Sequence, residues 1–303
     1  MNILFNRQLS VLVLNLLLFT GCRELVKSEF PDFEQSPVVN SIMVAGRPLQ
    51  VHVSLAGKMD TFELQGIDNA EVLLYADGLF LGSLNYDGDG FYSSDYILRP
   101  SENYECRVTV PGYNEIVCRN LIPQPAGITY IEHIEKAGKD EEGMTYPALK
   151  FTFMNNPLEK QYFQAAIRLI YGDYESSGQI LNITDTVLLN EGLPITLFSN
   201  QLIKQDAYTM TINYTTGSAS GRYGVLQTHL YPLILELRSV SYDYYQYVKQ
   251  LYLYEKGRYP DGLAFGAFTS FPLYSNIEGG YGIFAGYSSI LSDTIYPSQY
   301  VKY

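Results

Sequence analysis

The sequence predicts a mainly β protein, in which an immunoglobulin-like β-sandwich over residues 38–125 precedes a larger β-rich domain at 126–303. Two observations predict this class. Short segments alternate between apolar and polar residues and are separated by Gly, Asp and Asn turns, as is typical of antiparallel strands. A single tyrosine-rich segment near 241–256 has helical spacing instead. The chain has 303 residues, of which 47% are hydrophobic, so it can bury a sizeable core without a disulfide scaffold.

The N-terminus predicts a lipoprotein signal peptide over residues 1–21. An arginine precedes an apolar run from Leu9 to Phe19, which is about half of the roughly 20 residues needed to span a bilayer. The ending Leu18-Phe19-Thr20-Gly21-Cys22 resembles a bacterial lipobox, in which the cysteine thiol is acylated and the chain is cut before it. We expect Cys22 to carry fatty acids such as palmitate that anchor the protein to a membrane, with 22–37 as a polar tether. An ordinary secretory signal is the alternative.

The sandwich is predicted from strands that follow one another at short spacing. Leu49–Leu55 alternates most clearly, with its four aliphatic side chains on one face. Asp77-Gly78 predicts a tight turn between two strands, and Pro123–Pro125 marks the end of the module. The predicted strands lie at 38–44, 49–55, 70–75, 79–81, from 90 onward, 106–110 and 114–118.

Two cysteines are predicted to face each other across a hairpin that turns at Pro111–Tyr113. Residues whose numbers add up to 224 pair across this turn, which places Cys106 directly opposite Cys118. An exported protein can oxidise such a pair to a disulfide, and two buried thiols are the alternative. A catalytic thiol is not expected, because neither cysteine has a nearby histidine or a Cys-x-x-Cys spacing.

Beyond residue 125 the pattern stays β-rich. Asn155–Lys160 predicts the turn of a hairpin between the strands on either side of it. The strands predicted in this part lie at 149–153, 162–171, 193–199, 207–214 and 231–238.

One helix is predicted near 241–256. Ser241 is a candidate N-cap and Asp243 lies in the first turn, while Lys256 and Gly257 end the run with a cation and a C-cap glycine.

The helix is rich in tyrosine, with six of these residues within 13 positions. Tyr244, Tyr247 and Tyr254 are candidates for a surface that binds a ligand or a partner protein. The alternative is that the rings pack in the core with their hydroxyl groups at its edge.

Charge and motif content exclude several classes of function. The chain has 20 Lys+Arg and 32 Asp+Glu residues, a net charge of −12, which argues against nucleic-acid binding. Asn85–Gly90 resembles the first half of a calcium loop, but Tyr96 stands where a bidentate glutamate is needed, so a glycine-rich turn is predicted. The three histidines show no metal-binding spacing. We therefore expect no metal, no cofactor and no enzymatic activity.

The C-terminal third carries a distinctive run, Ser275-Asn276-Ile277-Glu278-Gly279-Gly280-Tyr281-Gly282-Ile283-Phe284-Ala285-Gly286. Its glycines predict close backbone approach, and Ile283-Phe284 predicts an apolar plug. Together with the lipobox and the opening Val38-Val39-Asn40, this run resembles the domain of unknown function 4249 family of Bacteroidota outer-membrane lipoproteins. The resemblance implies an immunoglobulin-like module before a mostly β domain, an outer-membrane location and an accessory role beside TonB-dependent transporters. It supplies no catalytic residues.

The expected function is that of a lipid-anchored outer-membrane accessory or ligand-binding protein that works with a TonB-dependent transporter in nutrient uptake. The sequence selects neither a particular ligand nor the face of the outer membrane on which the protein lies. A structural or adhesive surface protein is the first alternative, and a hydrolase that uses scattered carboxylates is the less favoured one.

Overall fold

The computed structural model describes residues 35–57, 65–217, 219–222, 225–257 and 272–301. The predicted signal peptide, Cys22 and most of the tether lie outside these ranges. The described strands belong to one compact unit that begins at Gln35.

The described chain is mainly β, as predicted. Its two α-helices are α1 (Thr186–Glu191) and α2 (Tyr242–Gly257). Its strands are β1 (Pro37–Val44), β2 (Pro48–Leu55), β3 (Gln65–Gly66), β4 (Glu71–Ala76), β5 (Leu79–Ser83), β6 (Asn85–Gly88), β7 (Phe91–Ile97), β8 (Asn103–Thr109), β9 (Ile116–Leu121), β10 (Ile128–Lys139), β11 (Thr145–Met154), β12 (Tyr162–Tyr171), β13 (Tyr174–Ser177), β14 (Gln179–Ile180), β15 (Leu197–Ser199), β16 (Ala207–Thr215), β17 (Ala219–Arg222), β18 (Val225–Thr228), β19 (Leu233–Val240) and β20 (Tyr281–Leu291).

Ten strands form the largest sheet, in the order β13-β12-β19-β20-β1-β2-β7-β6, with β15 paired to β12 and β3 paired to β2. Two four-stranded sheets have the orders β5-β4-β8-β9 and β10-β11-β16-β14, and β17 pairs with β18. In the first four-stranded sheet the cysteine register is as predicted, with Cys106 opposite Cys118.

The largest sheet contains one parallel pair, β1 with β20, which joins the two ends of the described chain. Gly282 on β20 has φ of +117°, and a Cβ atom there would lie 2.1 Å from the carbonyl oxygen of Val39. Only glycine allows this approach. The close backbone contact predicted for the glycine run is therefore present, and Phe284, which follows it, is fully buried.

The predicted division at residue 125 is only partly reflected in the structure. One core does contain buried residues between Val39 and Ile122, contributed by two facing sheets, as in a sandwich. However, Phe284 belongs to the same core, and β1 and β20 share one sheet. Residues 38–125 and 126–303 are therefore not two separate units, because the C-terminal strand completes the sheet that the N-terminal strand begins.

Two further expectations differ from the structure. The predicted hairpin across Asn155–Lys160 is wrong, because β11 pairs with β10 and β16, while β12 pairs with β13, β15 and β19. The sequence predicts a helix only near 241–256, yet α1 is also present. Asp185 caps α1 by accepting a hydrogen bond from the Val187 amide at 2.9 Å. Neither described helix has the length and apolar character that crossing a membrane requires.

Candidate functional site

The candidate site is a cleft of about 1010 Å³ between the β8–β9 end of the small sheet and the N-terminal end of α2. Its floor includes Val240 and Ser241, where β19 passes into the helix. The Ser241 hydroxyl accepts hydrogen bonds from the amides of Tyr244 and Gly286, each at 3.2 Å. This confirms Ser241 as the N-cap and fixes the helix end to the neighbouring strand β20.

One wall of the cleft consists of stacked tyrosine rings. The ring of Tyr242, which is 50% exposed, lies 5.5 Å from that of Tyr162 on β12. Behind it the ring of Tyr245 lies 4.7 Å from Tyr162. Such tilted stacking fixes large rings in place, so the wall presents a preorganised aromatic surface.

A buried carboxylate holds the innermost tyrosine. The Tyr245 hydroxyl donates to Glu191, and the Lys249 ammonium group donates to the same carboxylate at 2.9 Å. Burial by itself would raise the pKa of Glu191, but these two hydrogen bonds outweigh it and lower the pKa. Glu191 therefore stays ionised and keeps the tyrosine wall rigid.

The opposite wall carries polar side chains from turns and strand ends. Asn103 donates to Oδ1 of Asp77 from its side chain at 2.9 Å and from its backbone at 3.2 Å. These bonds lower the pKa of Asp77. Asp77 lies at the predicted tight turn and has φ of +47°, a left-handed conformation that aspartate tolerates.

An ion-pair ladder continues this wall across β8 and β9. The guanidinium groups of Arg107 and Arg119 donate to the two oxygens of Glu105 at 2.6 and 2.7 Å. The hydrogen bond from Arg107 contributes most to lowering the pKa of Glu105, followed by that from Arg119. Glu105 is therefore an ionised acceptor and not a proton donor near neutral pH.

Asp243 connects the two walls. One of its carboxylate oxygens accepts from the Asn120 side chain at 2.7 Å, and the other accepts from the Tyr274 hydroxyl at 2.5 Å. Asn120 also donates to the carbonyl oxygen of Phe284 at 2.8 Å. This bridge ties β9, α2 and β20 together beside the cleft.

The arrangement suits binding. Ser239 and Ser241 in the cleft both accept hydrogen bonds from backbone amides, and no histidine lines the described cleft. Wherever the fold shifts the pKa of a carboxyl group in the described part of the chain, it lowers it. Within the described ranges, no group of three or more His, Cys, Asp or Glu side chains could hold a metal ion. Aromatic surface, charged groups and amides remain as the cleft's means of recognition.

A comparison of the sequence with protein families decides the classification. Residues 23–290 match the family described as Domain of unknown function (DUF4249). The chain belongs to this family. The match covers both cleft walls and nearly all of β20, so the site of this DUF4249 protein lies within the family domain. No curated protein matches the chain.

The tyrosines proposed as a surface of the DUF4249 protein are placed differently by the structure. Tyr244 is buried, and its hydroxyl donates to Gln164 at 2.8 Å. The prediction that Tyr244 forms part of a binding surface is therefore wrong. Tyr247 and Tyr254 are half-buried, and Tyr247 packs against the core beneath α2. Helical spacing alone could not identify Tyr242 as the exposed ring, since the ring's neighbour, Tyr162, is 80 positions earlier in the chain.

Cys106 and Cys118 are free, buried thiols in the structure. Burial raises the pKa of both, that of Cys118 to about 12. The disulfide alternative stays a prediction that chemical labelling can test. Neither thiol reaches the cleft.

Most cleft residues were not found by sequence reasoning. The sequence indicates Asp77 only as a turn residue and Asp243 only as part of a helix start. Asn103, Arg119 and Tyr162 carry no local signal, because each becomes a cleft residue only through pairing with distant strands.

Proposed function

We propose that this DUF4249 protein is a lipid-anchored outer-membrane accessory protein that binds a ligand in the cleft and works with a TonB-dependent transporter in nutrient uptake. The observation that carries the proposal is the cleft itself, whose rigid tyrosine wall faces a polar wall. Its volume lies at the upper end of the range typical for ligand sites, about 300–1,000 Å³.

The place where the tether joins the fold supports this proposal. The tether leads into Pro37 at the start of β1, whereas the cleft floor lies at the other end, where Val44 pairs with Tyr287 and the Ser241 amide donates to Gly286. The eight residues of β1 cover about 23 Å at roughly 3.3 Å per residue. The cleft floor therefore lies about one strand length away from Pro37.

The anchor is tested by changing Cys22 to alanine. We expect the variant to leave the membrane fraction and to lose incorporation of labelled palmitate, whereas Cys118→Ala retains both. Palmitate incorporation into the Cys22→Ala variant would contradict the assignment.

The partnership is tested by purifying the affinity-tagged protein from outer membranes solubilised in mild detergent. We expect a TonB-dependent transporter to co-purify with it and to be absent from a mock purification. A deletion strain should take up nutrients more slowly while its surface attachment is unchanged. Normal uptake together with lost attachment would instead favour a structural or adhesive protein.

A further inference from the structure

We propose, resting on the ligand-binding role above, that the cleft takes a neutral oligosaccharide whose sugar rings lie on the face of Tyr242. The inference combines four properties of the cleft: an exposed aromatic face, polar side chains opposite it, the pairing of the strand that carries the aromatic wall, and the charge of the molecule.

The aromatic face fits a sugar ring. Tyr242 is half-exposed, and its ring is held by Tyr162, which Tyr245 supports in turn. One face of a pyranose ring presents C–H groups, which pack on an aromatic ring while the ring's edge stays polar. A tyrosine that is already fixed loses little conformational entropy on binding.

The opposite wall fits sugar hydroxyl groups. Both hydrogen bonds from Asn103 reach Oδ1 of Asp77, so Oδ2 has no partner among the described residues. Lone pairs of a carboxylate accept hydroxyl donors, and an amide such as that of Asn103 offers both a donor and an acceptor. Sugar hydroxyl groups both donate and accept hydrogen bonds, so they need both donors and acceptors as partners.

The strand that carries the tyrosine wall disfavours an extended peptide. Peptides commonly bind by adding a strand to a free sheet edge. At the cleft, β12 is paired with β15 and with β19. β9 is the outermost strand of its sheet, and Glu278 exchanges backbone hydrogen bonds with it only at Val117, at 3.0 and 3.1 Å. Along the tyrosine wall, recognition therefore relies on side chains, as hydroxyl-rich ligands allow.

The size of the cleft and the net charge of the chain restrict the class of ligand further. A cleft of about 1010 Å³ lies at the upper end of the range of ligand-site volumes, which favours an oligomer over a single sugar. The chain carries a net charge of −12, which disfavours acidic polysaccharides through long-range repulsion.

The test measures binding to the full lipidated chain by isothermal titration calorimetry, in a detergent whose headgroup is not a sugar. The probes are maltohexaose, cellohexaose, mannohexaose and xylohexaose, with a polyuronate and an uncharged hexapeptide for comparison. We expect at least one of the four hexaoses to bind. Tyr242→Ala should weaken that binding by about tenfold, and Tyr242→Phe should largely retain it.

A matched control is Tyr86→Ala, since Tyr86 is 47% exposed and stacks on Tyr92 at 5.2 Å, outside the cleft. It should bind as the wild type does. Asp77→Asn tests the other wall without removing the side-chain oxygen that accepts from Asn103, and we expect it to weaken binding several-fold. This second variant keeps the test decisive if Tyr242→Ala fails to fold.

Three results would overturn the proposal: no hexaose binds, binding survives both cleft variants, or Tyr86→Ala weakens it equally. If only the hexapeptide or the polyuronate binds, and does so through Tyr242, the neutral oligosaccharide is excluded while the ligand-binding role stands. Hexaose binding without a co-purifying transporter would support the sugar and contradict the partnership.

Discussion

Single residues determine how rigid the tyrosine wall is. The Glu191 side chain is only 4% exposed and pairs with Lys249, whose side chain is 23% exposed. The Glu191 carboxylate also accepts hydrogen bonds from the backbone amide and the hydroxyl group of Ser199. One carboxylate thus joins α1, β15 and α2, although only Lys249 carries an opposite charge.

Replacing this carboxylate should destabilise the fold. We expect Glu191→Gln to lower the free energy of unfolding by about 2 kcal/mol, less than the 3–5 kcal/mol seen when a fully buried pair is broken. Because the pKa of Glu191 is lowered in the folded state, its contribution is complete above the unfolded pKa of about 4.3 and is lost as the pH falls through the folded pKa. The variant should therefore lose less stability than the wild type between about pH 6 and pH 3.

Urea titrations of both proteins across this pH range provide the measurement. Glu175→Gln is the matched control, because Glu175 pairs with Arg168 but is 45% exposed, and exposed pairs contribute only about 0–1 kcal/mol. Equal effects of the two substitutions on the free energy of unfolding would show that the burial of Glu191 does not add to its contribution to stability.

Thiol labelling tests the state of the cysteine pair. Because burial raises the pKa of Cys106 and Cys118, native protein should not react with N-ethylmaleimide at neutral pH. After unfolding without a reductant, we expect peptide mapping to find a label on each. Unlabelled Cys106 and Cys118 that react only after reduction would establish the disulfide.

At the residue scale the sequence is informative where the chain reverses on itself. The cysteine register follows from one tight turn, and the structure confirms it. The burial of Tyr244 could not be predicted in the same way, because it depends on Gln164 and Arg238, which reach it from two strands of the sheet.

At the element scale, one glycine leaves β20 little freedom to change. Gly282 combines a positive φ with an approach to Val39, whereas Gly46 has φ of +81° but no atom within 4 Å of the point where a Cβ atom would lie. The two glycines thus separate backbone strain from steric overlap.

Alanine substitutions at these two positions should differ greatly. Gly46→Ala should cost about 1–3 kcal/mol through strain alone. Gly282→Ala should cost about 4 kcal/mol or more, because β1 and β20 must also separate. Guanidinium denaturation of both variants measures this difference, and similar midpoints would show that the close approach to Val39 is easily relieved.

Elements with a local signal were predictable. The helix α2 has a capping serine and a terminal glycine, and its bounds agree closely with the prediction. Helix α1 has only six residues, too few to show helical periodicity. The wrong hairpin across Asn155–Lys160 has a different cause: a turn signal shows that the chain bends there, but it does not show which strands pair afterwards.

At the scale of the whole molecule, the shared sheet determines what can fold alone. Sequence patterns predicted where one core ends and another begins, near residue 125. They could not predict that β20 would lie beside β1, since parallel pairing at long range leaves no local pattern.

A fragment of residues 22–125 should therefore not fold by itself. Without β20, β1 loses its parallel neighbour and the core loses Phe284, which is fully buried. We expect the fragment to unfold without a cooperative transition when it is followed by circular dichroism, while a chain of residues 22–303 shows one. A sharp transition in the fragment would restore the two-domain description.

The pairing of β1 with β20 also determines when the largest sheet can be completed during synthesis. Asn40 and Ile283 share a hydrogen bond across 243 positions of the chain. A ribosome adds Asn40 long before Ile283, so β1 lacks its parallel neighbour while the residues between them are made. Pairing at such separation is slow, and the unfinished sheet keeps an open edge until the final strand arrives. Until β20 has been made, that edge presents unpaired backbone groups with which another chain can pair.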